Sequence, residues 1–216
     1  MNARIPHVVL PLVGLLLLGP ATFRAADSAD PPYIFVNPEE PVLKDIRRLG
    51  ETTTDRLGND LLREVRQLLA VTPTIDAVGS MHLKNYKLPP AAPGSIWTIT
   101  QVKRTSLRVR NPANAPDDAD RAALDLIKSQ LEQGDPVSKV LVQRVTTPGQ
   151  PAEWRVYRPI SAMNECMQCH GNIGKMDPRV ADRLQETYPE DKAINYREWE
   201  WRGLLRVSIV ERPASK

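Results

Sequence analysis

The sequence predicts an α+β domain: one antiparallel sheet of about five strands, with a long first helix and further helices on one side of the sheet. Three observations predict it. A single apolar stripe recurs every three to four residues from Val42 to Leu68. Five short runs with period-two apolar beats follow. The connections between those runs are hairpins or single short helices. A chain of 216 residues with 41% hydrophobic and 25% charged residues suits one such domain plus an export signal. The net charge is +3, and Lys and Arg alternate with Asp and Glu along the chain, which argues against a nucleic-acid partner.

The N-terminus reads as a secretory signal over residues 1–26, with one domain over 27–216. Arg4 supplies the positive start, Val8 to Leu18 a short apolar run, and Gly19 to Ala26 the small residues of a cleavage region. The run contains Pro11 and Gly14 and falls short of the roughly 20 residues that span a bilayer, so cleavage after Ala21 or Ala26 is expected, with no membrane span afterwards. Residues 27–36 form a lead into the domain. Asn37-Pro38-Glu39-Glu40 then has the form of a helix start, with a cap, a proline and an acid. The stripe of Val42, Ile46, Leu49, Thr53, Leu57, Leu61, Val65 and Leu68 faces the core or a second copy of the chain. Thr72-Pro73 begins a short helix with Ile75, Val78 and His82 on one face.

A proline loop over Leu88–Gly94 precedes strands at 96–103 and 105–110. The stretch from Asn111 to Asp117 is a rigid turn, and the helix after it runs from Pro116 to Gln133, faces the core with Leu124, Ile127 and Leu131, and stops at Gly134. Strands at 137–145 and 153–158 flank the hairpin Thr147-Pro148-Gly149-Gln150-Pro151, and Pro159 closes the second of them. A helix from Pro178 to Tyr188 and a last strand from Gly203 to Val210 complete the domain. No internal repeat is present.

The chemistry lies in Cys166-Met167-Gln168-Cys169-His170-Gly171. Cys-x-x-Cys-His is the attachment signature of c-type haem. The two thiols become thioethers on the two vinyl groups, and the next imidazole ligates the iron. Both cysteines of the chain fall here. Three other readings remain: a dithiol redox pair, which needs a thioredoxin-like βαβ setting; zinc, which needs more ligands than His7, His82 and His170 add; and a local disulfide, which leaves His170 unexplained. The haem reading, with one haem c per chain, requires export, because this cofactor is attached outside the cytoplasm. A sixth iron ligand is then sought. His82 is the first candidate, or a satisfied core histidine, with Met81, Met163 and Met176 as thioether alternatives. Arg104, Arg108 and Arg110 alternate and would share one strand face, where they contact propionates or hold the Asn-Pro turn; Arg158 and Lys175 are further candidates.

The stretch from Arg104 to Pro116, Tyr157-Arg158-Pro159 before the haem motif, and Trp201-Arg202-Gly203-Leu204-Leu205-Arg206-Val207-Ser208 together resemble a family of exported c-type haem proteins with a PAS-like fold. The resemblance extends from about Leu43 to Val210. It implies a five-stranded antiparallel PAS-like sheet with a long N-terminal helix, a redox or small-ligand sensing role, and possible homodimerisation. Members of that family can carry a ligating cysteine on the short helix after the long one. Here that region reads Val78-Gly79-Ser80-Met81-His82, which leaves the ligand to His82 or Met81. The expected function is a periplasmic haem sensor module or, alternatively, a soluble electron carrier. Its partner is a redox or signalling protein, and no acid–base constellation points to an enzyme.

Overall fold

The computed structural model describes residues 32–80 and 86–213. The expected signal segment, and Met81 and His82, lie outside the described residues. The fold is α+β, with five antiparallel strands: β1 (Tyr33–Val36), β2 (Trp97–Thr105), β3 (Leu141–Val145), β4 (Glu153–Ser161) and β5 (Trp201–Glu211). They lie in the order β1-β3-β4-β5-β2. The helices are α1 (Lys44–Val71), α2 (Thr74–Ala77), α3 (Asp118–Gln133), α4 (Met167–His170) and α5 (Pro178–Thr187). Among the described residues no helix is long and apolar enough to cross a membrane.

The count of five strands is reached by a different route from the expected one. Tyr33-Ile34-Phe35-Val36, expected as a lead, pairs with β3 as an edge strand, the position that tolerates the flanking prolines. The strand expected over 105–110 does not form. After Thr105 the backbone turns, with Arg108 N donating to Ser106 Oγ and a 3-10 turn at Pro112–Asn114. β4 runs through Pro159 rather than ending there. The last β3–β4 pair is Leu141 with Tyr157, so Pro159 pairs only with Leu204 and its missing N–H disrupts no second ladder.

Helix ends follow local chemistry. Asp117 and Asp120 form a reciprocal capping box at the start of α3, and Gly134 closes it at φ 72°. Asp177 caps α5 with Pro178 in its first turn. Asn37 does not cap α1. Its side chain accepts from Glu39 N, which makes a local turn, and a 3-10 turn at Pro41–Leu43 leads into α1. Val42 is consequently exposed, and Leu43 takes its place in the core.

Helices cover both faces of the sheet, not one. Leu43 and Ile46 pack on Ile99, Val142, Val156, Val207 and Ile209. Ala123, Leu124 and Ile127 pack on Leu141, Tyr157 and Leu204. Neighbours in sequence such as Leu141 and Val142, or Val156 and Tyr157, point to opposite faces, so α1 and α3 sandwich the sheet. Leu131, at the far end of α3, stays exposed. α1 comes closest to the sheet at Gly50, where an added Cβ would stand 2.4 Å from Val156 Cβ. On the α3 face lies a charged cluster that the sequence pattern did not reveal. Asp120, fully buried, accepts from Lys103 Nζ at 2.8 Å, from Arg206 Nη1 at 3.1 Å and from the Tyr157 hydroxyl at 3.1 Å.

Two substitutions test this packing. Gly50→Ala overpacks the crossing and lowers stability by about 1–3 kcal/mol, with part recovered by Val156→Ala in the same chain. Asp120→Ala removes the one fully buried anion of the cluster, leaves the buried Arg206 only its longer carboxylate contact, to Asp117, and costs about 3–5 kcal/mol. Urea unfolding of the variants measures both; a Gly50→Ala midpoint equal to the parent's would refute the close approach.

Candidate functional site

The two cysteines and the histidine come from one short helical run. A 3-10 turn at Asn164–Cys166 passes directly into α4, so Cys166 and Cys169 are one turn apart and His170 follows on the same side. The run must end at Gly171, where a Cβ would lie 2.5 Å from the Met167 carbonyl oxygen. The need for glycine there thus comes from the chain's own backbone.

Both thiols are free and half-buried. Cys166 packs beside Ala162, Ala193 and Tyr196, and Cys169 beside Val78, Val180 and Leu184. Burial pushes the Cys169 thiol above its ordinary value, against the opposing pull of Arg110. His170 Nδ1 donates to the Ala193 carbonyl at 2.6 Å. That bond fixes the tautomer and leaves Nε2 as a bare nitrogen. Burial first, then the charges of Arg110 and Arg202, hold His170 well below its ordinary value, so the imidazole is neutral at pH 7. Tyr196 meets its ring edge-on, with centroids 6.2 Å apart.

A cleft of about 930 Å³, open to solvent, adjoins all three residues. Its apolar wall includes Val65 and Leu69 of α1, Val78, and Leu184 of α5; its polar wall includes Arg104, Arg110 and Arg202. A second cleft of about 1310 Å³ shares Val65, Arg104, Cys166, His170 and Arg202 and extends along α1 past Leu61, Leu62 and Asn59 to Met163. These openings explain why α1 leaves the sheet: Leu57 is the last fully buried residue of its stripe, and Leu61, Val65 and Leu68 stay half-buried.

The arginines expected to act together divide their roles, because β2 ends at Thr105. The Arg104 guanidinium lines both clefts, with no hydrogen-bond acceptor or carboxylate on it among the described residues. Burial, with Arg202 and Arg110 nearby, lowers its pKa to about 10, the mark of a cation that lacks an anion. Arg108 instead binds the Lys192 and Ile194 carbonyls and Glu200, and lies 3.7 Å from the Tyr196 ring centre. Arg110 pairs with Asp191 at 2.8 Å and donates to the Cys169 and Ala193 carbonyls. Arg202, missed in the sequence, donates to Ser106 Oγ at 2.8 Å and lines both clefts without a carboxylate partner among the described residues. Arg158 pairs with Asp55 of α1, and Lys175 is exposed away from both clefts. Met163 lines the second cleft, and Met176 packs beside Cys169. His82 and Met81 lie outside the described residues, though Val78 and Gly79 line the first cleft.

The donor set narrows the chemistry. The described sheet is wholly antiparallel, so the thioredoxin-like βαβ setting of a dithiol pair is absent from the described residues. Among them no group of three or more Cys, His, Asp or Glu gathers as a metal cluster. Two thiols, one bare imidazole nitrogen, an apolar wall and two arginines without anions fit a flat apolar macrocycle with two carboxylates.

Comparison with known proteins gives one family. The model of the Tll0287-like family matches residues 75–210 of this 216-residue chain. Among solved structures, a similar chain is the cyanobacterial heme-protein Tll0287, at 20% identity and a TM-score of 0.40, over 74% of this chain and 98% of that one. No curated protein matches.

A pH titration tests the state of His170. With its folded pKa depressed, the unfolded chain binds a proton that the native chain refuses. Stability of the free-thiol protein therefore falls as pH drops from about 6.5 towards 5, by up to about 1.4 kcal/mol per pH unit from this residue. His170→Asn removes that component. Urea midpoints of parent and variant measured across the window should diverge, and parallel curves would disprove the assignment.

Proposed function

The chain belongs to the Tll0287-like family, and we propose that it is an exported c-type haem protein that senses redox state or a small ligand. The observation that carries this reading is His170, whose Nδ1–H is held by Ala193 while its Nε2 stays bare, on a cleft shared with two free thiols. Cys166 and Cys169 would hold a haem by adding their thiols across its two vinyl groups, each giving one sulfur–carbon bond and passing its proton to the other vinyl carbon. His170 Nε2 would ligate the iron, and Arg104 and Arg202 would offer their charge to the propionates. A bound haem would supply a one-electron couple and, where its second protein ligand is exchangeable, a site for a diatomic ligand.

The chain's own residues set the conditions of that chemistry. Val65, Leu69, Val78 and Leu184 would cover the apolar face of the group and lower the local dielectric there. The two arginines favour whichever state carries more negative charge. His82 remains the proposed sixth ligand, with Met81, Met163 or Met176 as thioether replacements. An exchangeable ligand on a cleft walled by α1 favours a sensor, read by a partner protein. An electron carrier is the second reading. The observation that favours it is that the cleft walls reach the surface at Asp55, Asn59 and Arg158, all exposed. We propose no enzymatic activity, and a periplasmic location follows from where this haem is attached.

Expression in a host with working cytochrome-maturation machinery tests the reading. Intact mass should show one porphyrin per chain; Cys166→Ala should give a single-thioether product with a shifted haemochrome band, and Cys166→Ala/Cys169→Ala none. A bare parent chain would end the proposal. Carbon monoxide added to the reduced parent separates the two roles: ready binding supports the sensor, while no binding with fast electron exchange supports the carrier. His82→Ala should convert a low-spin spectrum to a high-spin one.

A further inference from the structure

The Ala193 carbonyl oxygen, which accepts the His170 Nδ1–H at 2.6 Å, also accepts from Arg110 Nη2 at 3.2 Å. The same guanidinium reaches the Cys169 carbonyl and pairs with Asp191 Oδ2 at 2.8 Å. Asp191 in turn accepts Ala193 N–H through Oδ1 at 2.7 Å. The residue whose carbonyl orients the imidazole is thus gripped at both its N–H and its C=O by one ion pair, and that pair is almost fully buried.

A carbonyl has two lone pairs and can serve two donors, but a cationic donor on one weakens the oxygen as acceptor for the other. The strength of the hydrogen bond on the far nitrogen sets how much electron density an imidazole gives a metal. From this geometry we propose that Arg110 is a positioning residue for His170 that tunes it through the shared Ala193 carbonyl and raises the reduction potential of the bound haem, with Asp191 opposing it. The inference rests on the haem reading above. Without Arg110 the carbonyl is a stronger acceptor, His170 gains imidazolate character, and the oxidised iron is favoured. Loss of a buried positive charge beside the site acts in the same direction. Asp191→Asn frees the guanidinium from its counter-charge and acts in the opposite direction.

The test uses the mature holoprotein, with porphyrin mass confirmed for each variant before any potential is read. Arg110→Gln is expected to titrate at a lower potential than the parent, Asp191→Asn at a higher one, and Arg110→Lys close to the parent. Arg179→Gln, at an exposed pair with Asp177, serves as the control and should leave the potential in place. In the haem-free chain, the Nδ1–H proton of His170 is expected to move downfield in Arg110→Gln, as its hydrogen bond strengthens. This NMR readout stands even if the variant matures poorly. Haem-loaded Arg110→Gln with an unchanged or raised potential, or an unmoved Nδ1–H resonance, overturns the role assigned to Arg110 while leaving the haem reading intact. A parent without porphyrin mass overturns the haem reading itself.

Discussion

One carbonyl oxygen, that of Ala193, governs how His170 stands, and two arginines determine where that carbonyl is. The loop after α5 has little apolar substance of its own: Ala193 and Tyr196 are its buried members. It is held instead by charge-assisted hydrogen bonds from Arg108 to Lys192 and Ile194, and from Arg110 to Asp191 and Ala193. The backbone closes the same junction, with Asn195 N on the Gly171 carbonyl and Tyr196 N on the His170 carbonyl. Asn195 and Trp199 adopt left-handed backbone to make these turns, at φ 58° and 68°. Such conformations persist where surrounding bonds over-determine them.

The two faces of the sheet carry different burdens. On the α3 face, Lys103, Arg155, Arg206 and Tyr157 converge on Asp117 and Asp120, and Glu153 pairs with Arg155, so three cations meet three carboxylates. On the α1 face the last three turns of the helix leave apolar side chains half-exposed, and Arg104 and Arg202 find no carboxylate among the described residues. The first face is complete as polypeptide. The second has the surface of something that awaits a further group: hydrophobic walls, uncompensated cations and a nitrogen with a lone pair.

What could be read from the sequence was what chemistry makes local. Cys166, Cys169 and His170 lie within five residues, and their helical run follows from that spacing. Gly134 ends α3 because capping acts within a turn, though the start read at Pro116 lies two residues before the helix that Asp117 caps, and the stripe of α1 is periodic because one face must be dry. Non-local features were hidden. β1 is four residues between prolines and becomes a strand only because β3 offers an edge. The alternation of Leu107 and Val109 suggested a strand, yet Arg108 and Arg110 are drawn to carbonyls more than 80 residues away. Asp120, in the first turn of α3, carries no local signal of its role, because its partners arrive from three separate strands. Arg202 carries no local signal and acquires meaning only beside Arg104.

Gly50 gives α1 a fulcrum. Six residues of the helix lie on one side of it, and Leu69 lies 19 positions beyond it on the other, which at about 1.5 Å per residue makes arms of about 9 and about 29 Å. The short arm is wedged into the core by Ile46. The long arm passes over the cleft. A rocking of about 5° at Val156 would leave the seated end nearly still and sweep Leu69 through about 2.5 Å, close to half a helical turn. Any tilt of this rod is therefore least where Ile46 to Leu57 are packed and greatest beside the cleft, where Arg66 pairs with Glu165 of the turn that carries Cys166.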